Sequence, residues 1–338
     1  MVTGKMKSTS TALNVKLDLS QVEWNEYLAK CVNANIFSTW EWGQYKGGGW
    51  SIERLAFFRG EAFVGMIQIL IKKLGPFRLG WSSSGINLID YKDMSDLVQA
   101  LGNQFDFKRT ILRICFQDDG SGENRFTFDS ISEFRKPIVE VNSGYTIRFD
   151  LKNYSNLPEI YSSNTRYYLK KSLKNDLQFQ VSEFNPLEFT KIHNEMVSLK
   201  ELKHLLINES DMVNLSQHFR DKIFLAKVLH GDEIQSVCAI IKWEKIAYYF
   251  LAGANEAGRK SSASFFMINK LIDYLKGEGI KKFDFGGITP FKESAFGVNR
   301  FKMGFNGQVV RYIGERELTK NFILYLGFNL LLRFKKGM

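Results

Sequence analysis

An acid, a glycine pair and a lysine fall within one stretch, "FDFGGITPFKESAFGVNRFKMGF", residues 283–305. If "KFDFG" is a strand, its period of two puts Phe283 and Phe285 on one face and Asp284 on the other. A carboxylate on a central strand is costly unless it is paired or wet, so Asp284 needs a partner or solvent. Gly286 and Gly287 remove side chains where the strand ends, which lets a ligand reach backbone N–H groups. Downstream, an extended run would project Arg300 and Lys302 to one side while Phe301 and Met303 pack. Spacing leaves two readings open: an anion site, or a turn followed by a surface patch.

Other cations could serve an anion. "SSNTRYYLKKSLKNDL" (residues 162–177) opens with capping residues and then reads as a helix. Arg166, Lys170 and Lys174 stand at i, i+4 and i+8 on one face, where like charges cost roughly a few tenths of a kcal/mol each. No acid stands at the intervening positions to relieve them. Such a stripe suits external phosphates, or it is an ordinary solvated face. Arg259 and Lys260, in "AGANEAGRKSSAS", precede a helix among small residues, as a phosphate cradle would. They lack the ordered glycines of a strong pyrophosphate loop. The histidines (His193, His204, His218, His230) have no metal-ligand spacing. Cys31, Cys115 and Cys238 are scattered, which fits a reducing compartment rather than a disulfide framework. No nucleophile–base pair is evident.

These groups must be held by a large fold. The chain has 338 residues, and its 29 phenylalanines supply a sizeable core. "RLAFFRGEAFVGMIQIL" (54–70) and "FLAKVLHGDEIQSVCAIIK" (224–242) both read as strand, tight turn, strand. Aligning their Leu-Ala pairs gives an offset of about half the chain. Each hairpin follows helical sequence and precedes a helix and a further strand: "MSDLVQALGNQF" then "KRTILRICF", and "SASFFMINKLIDYLKGEG" then "IKKFDF". This pattern predicts a duplicated α/β (α+β) architecture. The expected limits are 15–150 and 151–318, with an amphipathic segment at 319–338.

Net charge is +10, from 46 Lys and Arg against 36 Asp and Glu. It favours anionic partners: nucleic acid, phosphorylated carriers or an acidic membrane surface. The polar N-terminal sequence lacks the apolar core of a signal peptide, so the expected location is the cytoplasm, with the inner face of the plasma membrane as an option. No run approaches the ~18 apolar residues of a membrane span. "NFILYLGFNLLLRFKK" comes closest. It reads either as a last helix docked on the core or as an interfacial anchor facing anionic lipid.

At Asp284-Phe285-Gly286-Gly287 and at Phe301-Lys302-x-Gly304-Phe305-x-Gly307, the sequence resembles the FemA/FemB-like (Fem-type) peptidyltransferases. Weaker similarity lies in "FSTWEWGQYKGGGW" (37–50) and around Arg166. The resemblance implies two tandem acetyltransferase-like (GNAT-like) domains, each a mixed, mostly antiparallel sheet flanked by helices. It also implies an aminoacyl-tRNA donor, no bound cofactor, and an amine acceptor on a phosphorylated or lipid-linked cell-envelope precursor. Lys302 would stabilise negative charge or hold the donor's terminal nucleotide, and Asp284 would orient a cation. Arg166 and Lys170 would meet phosphates. The expected substrate-binding set also includes Gly286, Gly287, Arg300 and Phe301. Direct transfer is expected, with no covalent enzyme intermediate.

The sequence departs from the family where an Arg-Gly-Pro segment is usual; "LGWSSSGINLID" has Ser84-Gly85-Ile86 there. It also lacks a long coiled-coil insertion. The alternative keeps the fold and changes the donor to acyl-coenzyme A, gripped by Arg259 and Lys260, with an amino sugar of surface polysaccharide as acceptor. A third reading is a non-catalytic binder of RNA or membrane surfaces.

Overall fold

The computed structural model describes residues 12–119, 131–152, 157–290 and 295–335. Most of the N-terminal stretch read above, residues 291–294 of the glycine–lysine stretch, and residues 336–338 lie outside these. The chain forms two compact units, Met1–Asn142 with Ile313–Met338, and Ser143–Tyr312.

In the first unit, β1 (Asn14–Lys16), β2 (Ser51–Arg59), β3 (Ala62–Leu74), β4 (Phe77–Ser82) and β6 (Thr110–Asp119) are neighbours in that order. The end of β13 (Gln308–Leu318) follows, and β5 (Asn87–Leu88) pairs with β3. Helices α1 (Gln21–Leu28) and α2 (Trp40–Lys46) precede the predicted hairpin, in which Arg59 faces Ala62. Ser20 and Glu23 cap each other's backbone and start α1 where the sequence turns amphipathic. Helix α3 (Met94–Gln104) carries the chain from β4 to β6, the parallel pair. Leu97 and Leu101 pack on Ile67, Ile69, Leu112 and Ile114 to make this unit's core.

Against the other face of that sheet lies α10 (Phe322–Lys335), with Phe328 on Leu79 and Ile111. The residues from 319 onward, set off above as an amphipathic segment of their own, therefore belong to the first unit, with the last helix docked on its core as one of the two readings has it. They are tied by more than apolar contact. Arg113, fully buried, donates to Glu315 and Glu317 and to the Val139 carbonyl. Asn329 of α10 accepts from Arg113 and from the Val139 N–H, and donates to Glu317.

The second unit orders its strands as the start of β13, then β7 (Tyr145–Asp150), β12 (Lys282–Ile288), β11 (Ile246–Ala254), β10 (Glu233–Trp243), β9 (Ile223–His230) and β8 (Leu177–Glu183). Its hairpin is β9–β10, with His230 opposite Glu233, and its parallel pair is β11–β12. Helix α8 (Ala263–Gly277) lies between those two strands in sequence, after the short α7 (Glu256–Ser261). Phe266, Ile268, Leu271, Ile272 and Leu275 recur at helical spacing on α8 and enter one core with Phe149, Phe283, Phe285 and Phe305. Helix α5 (Pro186–Leu199), with Pro186 in its first turn and Asn185 capping it, packs on β11; α6 (Glu209–Phe219) packs on α5.

Two expectations shift. The boundary falls at Asn142/Ser143 rather than after 150, because β7 takes its hydrogen bonds from β12 and β13. Helix α4 (Ser163–Ser172) ends at its cap residue Leu173, so Lys174 lies past the helix and the stripe reduces to Arg166 and Lys170.

Candidate functional site

The parallel pair β11–β12 is in register only over Ile246–Tyr248 and Lys282–Asp284. On its other side β12 is bulged: Asp284 faces Arg148 but Gly287 faces Thr146, so three steps of β12 match two of β7. The extra residue lets the backbone turn. Gly286 has φ +78°, a conformation that glycine adopts without the cost an L side chain incurs.

Asp284 holds this bulge. One carboxylate oxygen accepts from Thr146 Oγ1 at 2.6 Å and from the Gly286 N–H at 2.9 Å. The other accepts from Arg148 Nε at 3.1 Å. Phe283 and Phe285 point into the core, as alternation predicts, while Asp284 shares the opposite face with Thr146 and Arg148. Burial works against the Arg148 charge, yet Tyr312, Asp284 and Tyr248 together hold its pKa above the ordinary arginine value. Asp284 is therefore buried and paired with Arg148, with both oxygens engaged.

Lys302 enters from α9 (Phe296–Met303). The extended run expected there is a helix, so residues two apart diverge by about 200°. Arg300 and Met303 face solvent while Lys302 turns inward and is only 8% exposed. Its Nζ donates to the Gly287 carbonyl at 3.1 Å and sits 5.2 Å from the Tyr249 ring and 5.6 Å from the Phe285 ring. Burial lowers its pKa to about 8, although Asp284 and Cys238 pull the other way. The ammonium thus lies in an aromatic slot beside the bulge, charged at neutral pH and close to titration. Such a group can stabilise an oxyanion or a phosphate more strongly than a solvated lysine can.

Asn299 seats this helix. Its amide accepts from the Thr289 N–H and donates to the Thr289 carbonyl, fixing α9 just past the end of β12. Phe301, half-buried, packs against Phe265, Phe285 and Phe305. At the far end of α9, a Cβ on Gly304 would stand 2.2 Å from Thr165 Oγ1, and the Gly304 carbonyl accepts from the Ser162 N–H. The start of α4 is thereby bound to the residue two beyond Lys302. Arg166 on that helix is exposed, and its guanidinium donates to the Glu159 and Tyr161 carbonyls. Lys170 is exposed one turn on.

Arg259 and Lys260 lie on the six-residue α7, where Lys260 pairs with Glu256 and Arg259 lies close enough to Lys200 to lower its pKa, after burial. The structure therefore joins Asp284, Gly286, Gly287 and Lys302, and attaches Phe301 and the start of α4 to them. It turns Arg300 away. Thr146, Arg148, Asn299, Tyr249 and Tyr312 were not singled out by sequence reasoning. For Thr146 and Arg148 the signal was present, since both share one parity in "YTIRFD". Among the described residues no cluster of His, Cys, Asp and Glu could hold a metal ion.

Gly286→Ala should show how tightly the slot is built. The new Cβ would lie 3.1 Å from the Tyr249 carbonyl oxygen and 3.3 Å from Lys302 Nζ, at a φ that alanine resists. We expect about 1–3 kcal/mol of destabilisation by urea denaturation, together with displacement of the ammonium. Unchanged stability would mean that the bulge relaxes freely.

The FemAB family model matches residues 171–333. The matched segment, a little under half of the chain, contains Asp284, the glycine pair, Lys302, Arg259 and Lys260, while Arg166 and Lys170 lie just before it. Aminoacyltransferase FemA of Staphylococcus aureus is 29% identical over 90 residues, which are 26% of this chain and 21% of FemA. The match thus spans about a fifth of that relative's length. A crystal structure of FemX superposes with a TM-score of 0.77 over 94% of this chain and 100% of that one, at 15% identity. A tandem GNAT protein from the clavulanic acid biosynthesis pathway gives a TM-score of 0.52 over 90% of this chain and 97% of that one, at 9% identity. The segment that the FemAB model matches therefore sits in a fold similar to the tandem GNAT kind, in keeping with the duplicated hairpin and parallel pair. No helix among the described residues is long and apolar enough to cross a membrane.

Proposed function

We propose that this protein is an aminoacyltransferase that moves an aminoacyl group from aminoacyl-tRNA to an amine of a peptidoglycan or related cell-envelope precursor. The observation that carries this reading is the Lys302 ammonium, buried in an aromatic slot beside a bulge whose backbone lies open at Gly287. The acceptor amine attacks the ester carbonyl carbon of the donor, forming a C–N bond and a tetrahedral oxyanion. Collapse breaks the ester C–O bond. The amine loses a proton and the ribose hydroxyl leaves having gained one, so the step balances without an external reagent. Lys302 faces the developing negative charge or the phosphate next to it. Asp284, with both oxygens engaged, keeps the bulge in shape rather than taking the proton. Arg166 and Lys170 meet phosphates of tRNA or of a lipid-linked acceptor. The protein works at the cytoplasmic side of the envelope.

Purified protein, a charged tRNA pool and a nucleotide-linked peptidoglycan precursor test this directly. The expected product is the aminoacylated precursor, detected by mass, with tRNA discharge dependent on the acceptor. Transfer from acyl-coenzyme A with no use of aminoacyl-tRNA would replace the proposed donor. Binding of RNA without any transfer would overturn the enzymatic reading.

A further inference from the structure

Helix α10 buries one side and leaves the other bare. Phe328 and Asn329 face the first unit's sheet, while Ile323 is 82% exposed, Phe334 80%, Phe322 56% and Leu330 51%. Ile323, Gly327, Leu330 and Phe334 follow one another at i, i+4, i+7 and i+11, the spacing of a single stripe along the helix. A second apolar element lies on the same sheet face. Phe77 shares strand parity with Leu79, which packs against Phe328, and Leu74 is directly opposite Phe77 at the tip of the β3–β4 hairpin. Both tip residues are exposed.

Cations surround this surface. Exposed Lys72 lies directly across from Leu79. Lys108, Arg109 and Lys320 are exposed at the start of α10, where the Lys108 carbonyl accepts from Asn321 and the Phe107 carbonyl from the Lys320 N–H. Arg333 is exposed near the helix end. Asp106 is the acid on the Lys108 loop, and it caps the Lys108 N–H. From Leu318 onward the sequence contains Lys320, Arg333, Lys335 and Lys336 and no acid.

We propose that the outer face of α10, with the β3–β4 tip, is a docking surface for an anionic lipid bilayer. An apolar stripe flanked by cations at both ends suits acyl chains below and anionic headgroups around. A second copy of this chain fits poorly, because an antiparallel pairing of the helix would set Lys320 of one copy against Arg333 of the other. The helix itself stays in place on entering the interface, since Asn329 and Phe328 hold its inner side.

The test uses the full chain and needs neither donor nor acceptor, so it succeeds or fails independently of the transfer reaction. Vesicles of phosphatidylcholine alone, and mixed with phosphatidylglycerol, are floated with the protein. We expect recovery with the anionic vesicles, release by high salt, and little recovery with phosphatidylcholine alone. The double variant Ile323→Ser, Phe334→Ser should bind about tenfold more weakly, and so should Lys320→Glu, Arg333→Glu. Thermal midpoints of both should match the parent, because all four side chains are exposed. Equal flotation of parent and variants would overturn the proposal, as would failure of the parent to float. A dimer in size-exclusion chromatography that Ile323→Ser, Phe334→Ser abolishes would assign the face to a second copy instead.

Discussion

Lys302→Met should lower the rate of aminoacyl transfer by about 10²–10³-fold, the loss typical of removing one preorganised group facing a developing oxyanion. The same variant should be more stable than the parent. The folded-state pKa of Lys302 is lowered to about 8 from 10.5. The folded protein therefore binds fewer protons than the unfolded chain between those values, and the parent's stability rises with pH across that window. Below pH 8 the buried charge costs the parent the full difference, on the order of 3 kcal/mol. Methionine fills the aromatic slot without that charge. Urea denaturation at pH 7 and pH 10 checks both parts: the gain should be large at pH 7 and small at pH 10. Transfer by the parent should also decline above about pH 8 as the ammonium is lost. A variant that is less stable at pH 7 and still transfers would remove Lys302 from the reaction and make it a structural residue.

Arg113→Met should destabilise the first unit by about 3–5 kcal/mol, because Glu315 and Glu317 would remain buried without their cation. Burial already raises the Glu315 pKa, against the pull of the Asn142 N–H and Arg113. Without Arg113, Glu315 would titrate at still higher pH when folded than when unfolded. Its charge penalty is then absent at low pH and grows as pH rises from the unfolded value to the folded one, so the variant should recover part of its stability on acidification. Denaturation midpoints compared at pH 5 and pH 8 test this; a midpoint insensitive to pH would mean that water reaches the Glu315 carboxylate.

The sequence made local pattern legible and left long-range pairing hidden. Parity alone placed Phe283 and Phe285 together and Asp284 opposite, because a strand enforces that period wherever it forms. It could not name the partners of Asp284, which lie 136 and 138 residues earlier on β7. Lys302 was singled out, but with Arg300 beside it, on the assumption of extended backbone. The error has a physical source. Phe296-Gly297-Val298 is a weak helix start, and α9 is anchored instead by the bond pair between Asn299 and Thr289. Arg113, within the strand "KRTILRICF", was not singled out, since its carboxylates come some 200 residues later. Close approach of α4 to Gly304 was equally hidden, although that contact joins the two basic regions read from sequence.

The discontinuity of the first unit bears on the order in which the protein can be made. All of Ser143–Tyr312 is synthesised before β6 can meet its final neighbour, the end of β13. At roughly 5–20 residues per second, a nascent Arg113 waits about 10–40 s for Glu315, Glu317 and Asn329 to leave the ribosome. During that interval an edge strand and a cation meant for burial stand open, while the unit that holds Lys302 already has every residue it needs. The second unit can therefore be complete before the first, whose two ends in the chain lie on either side of it.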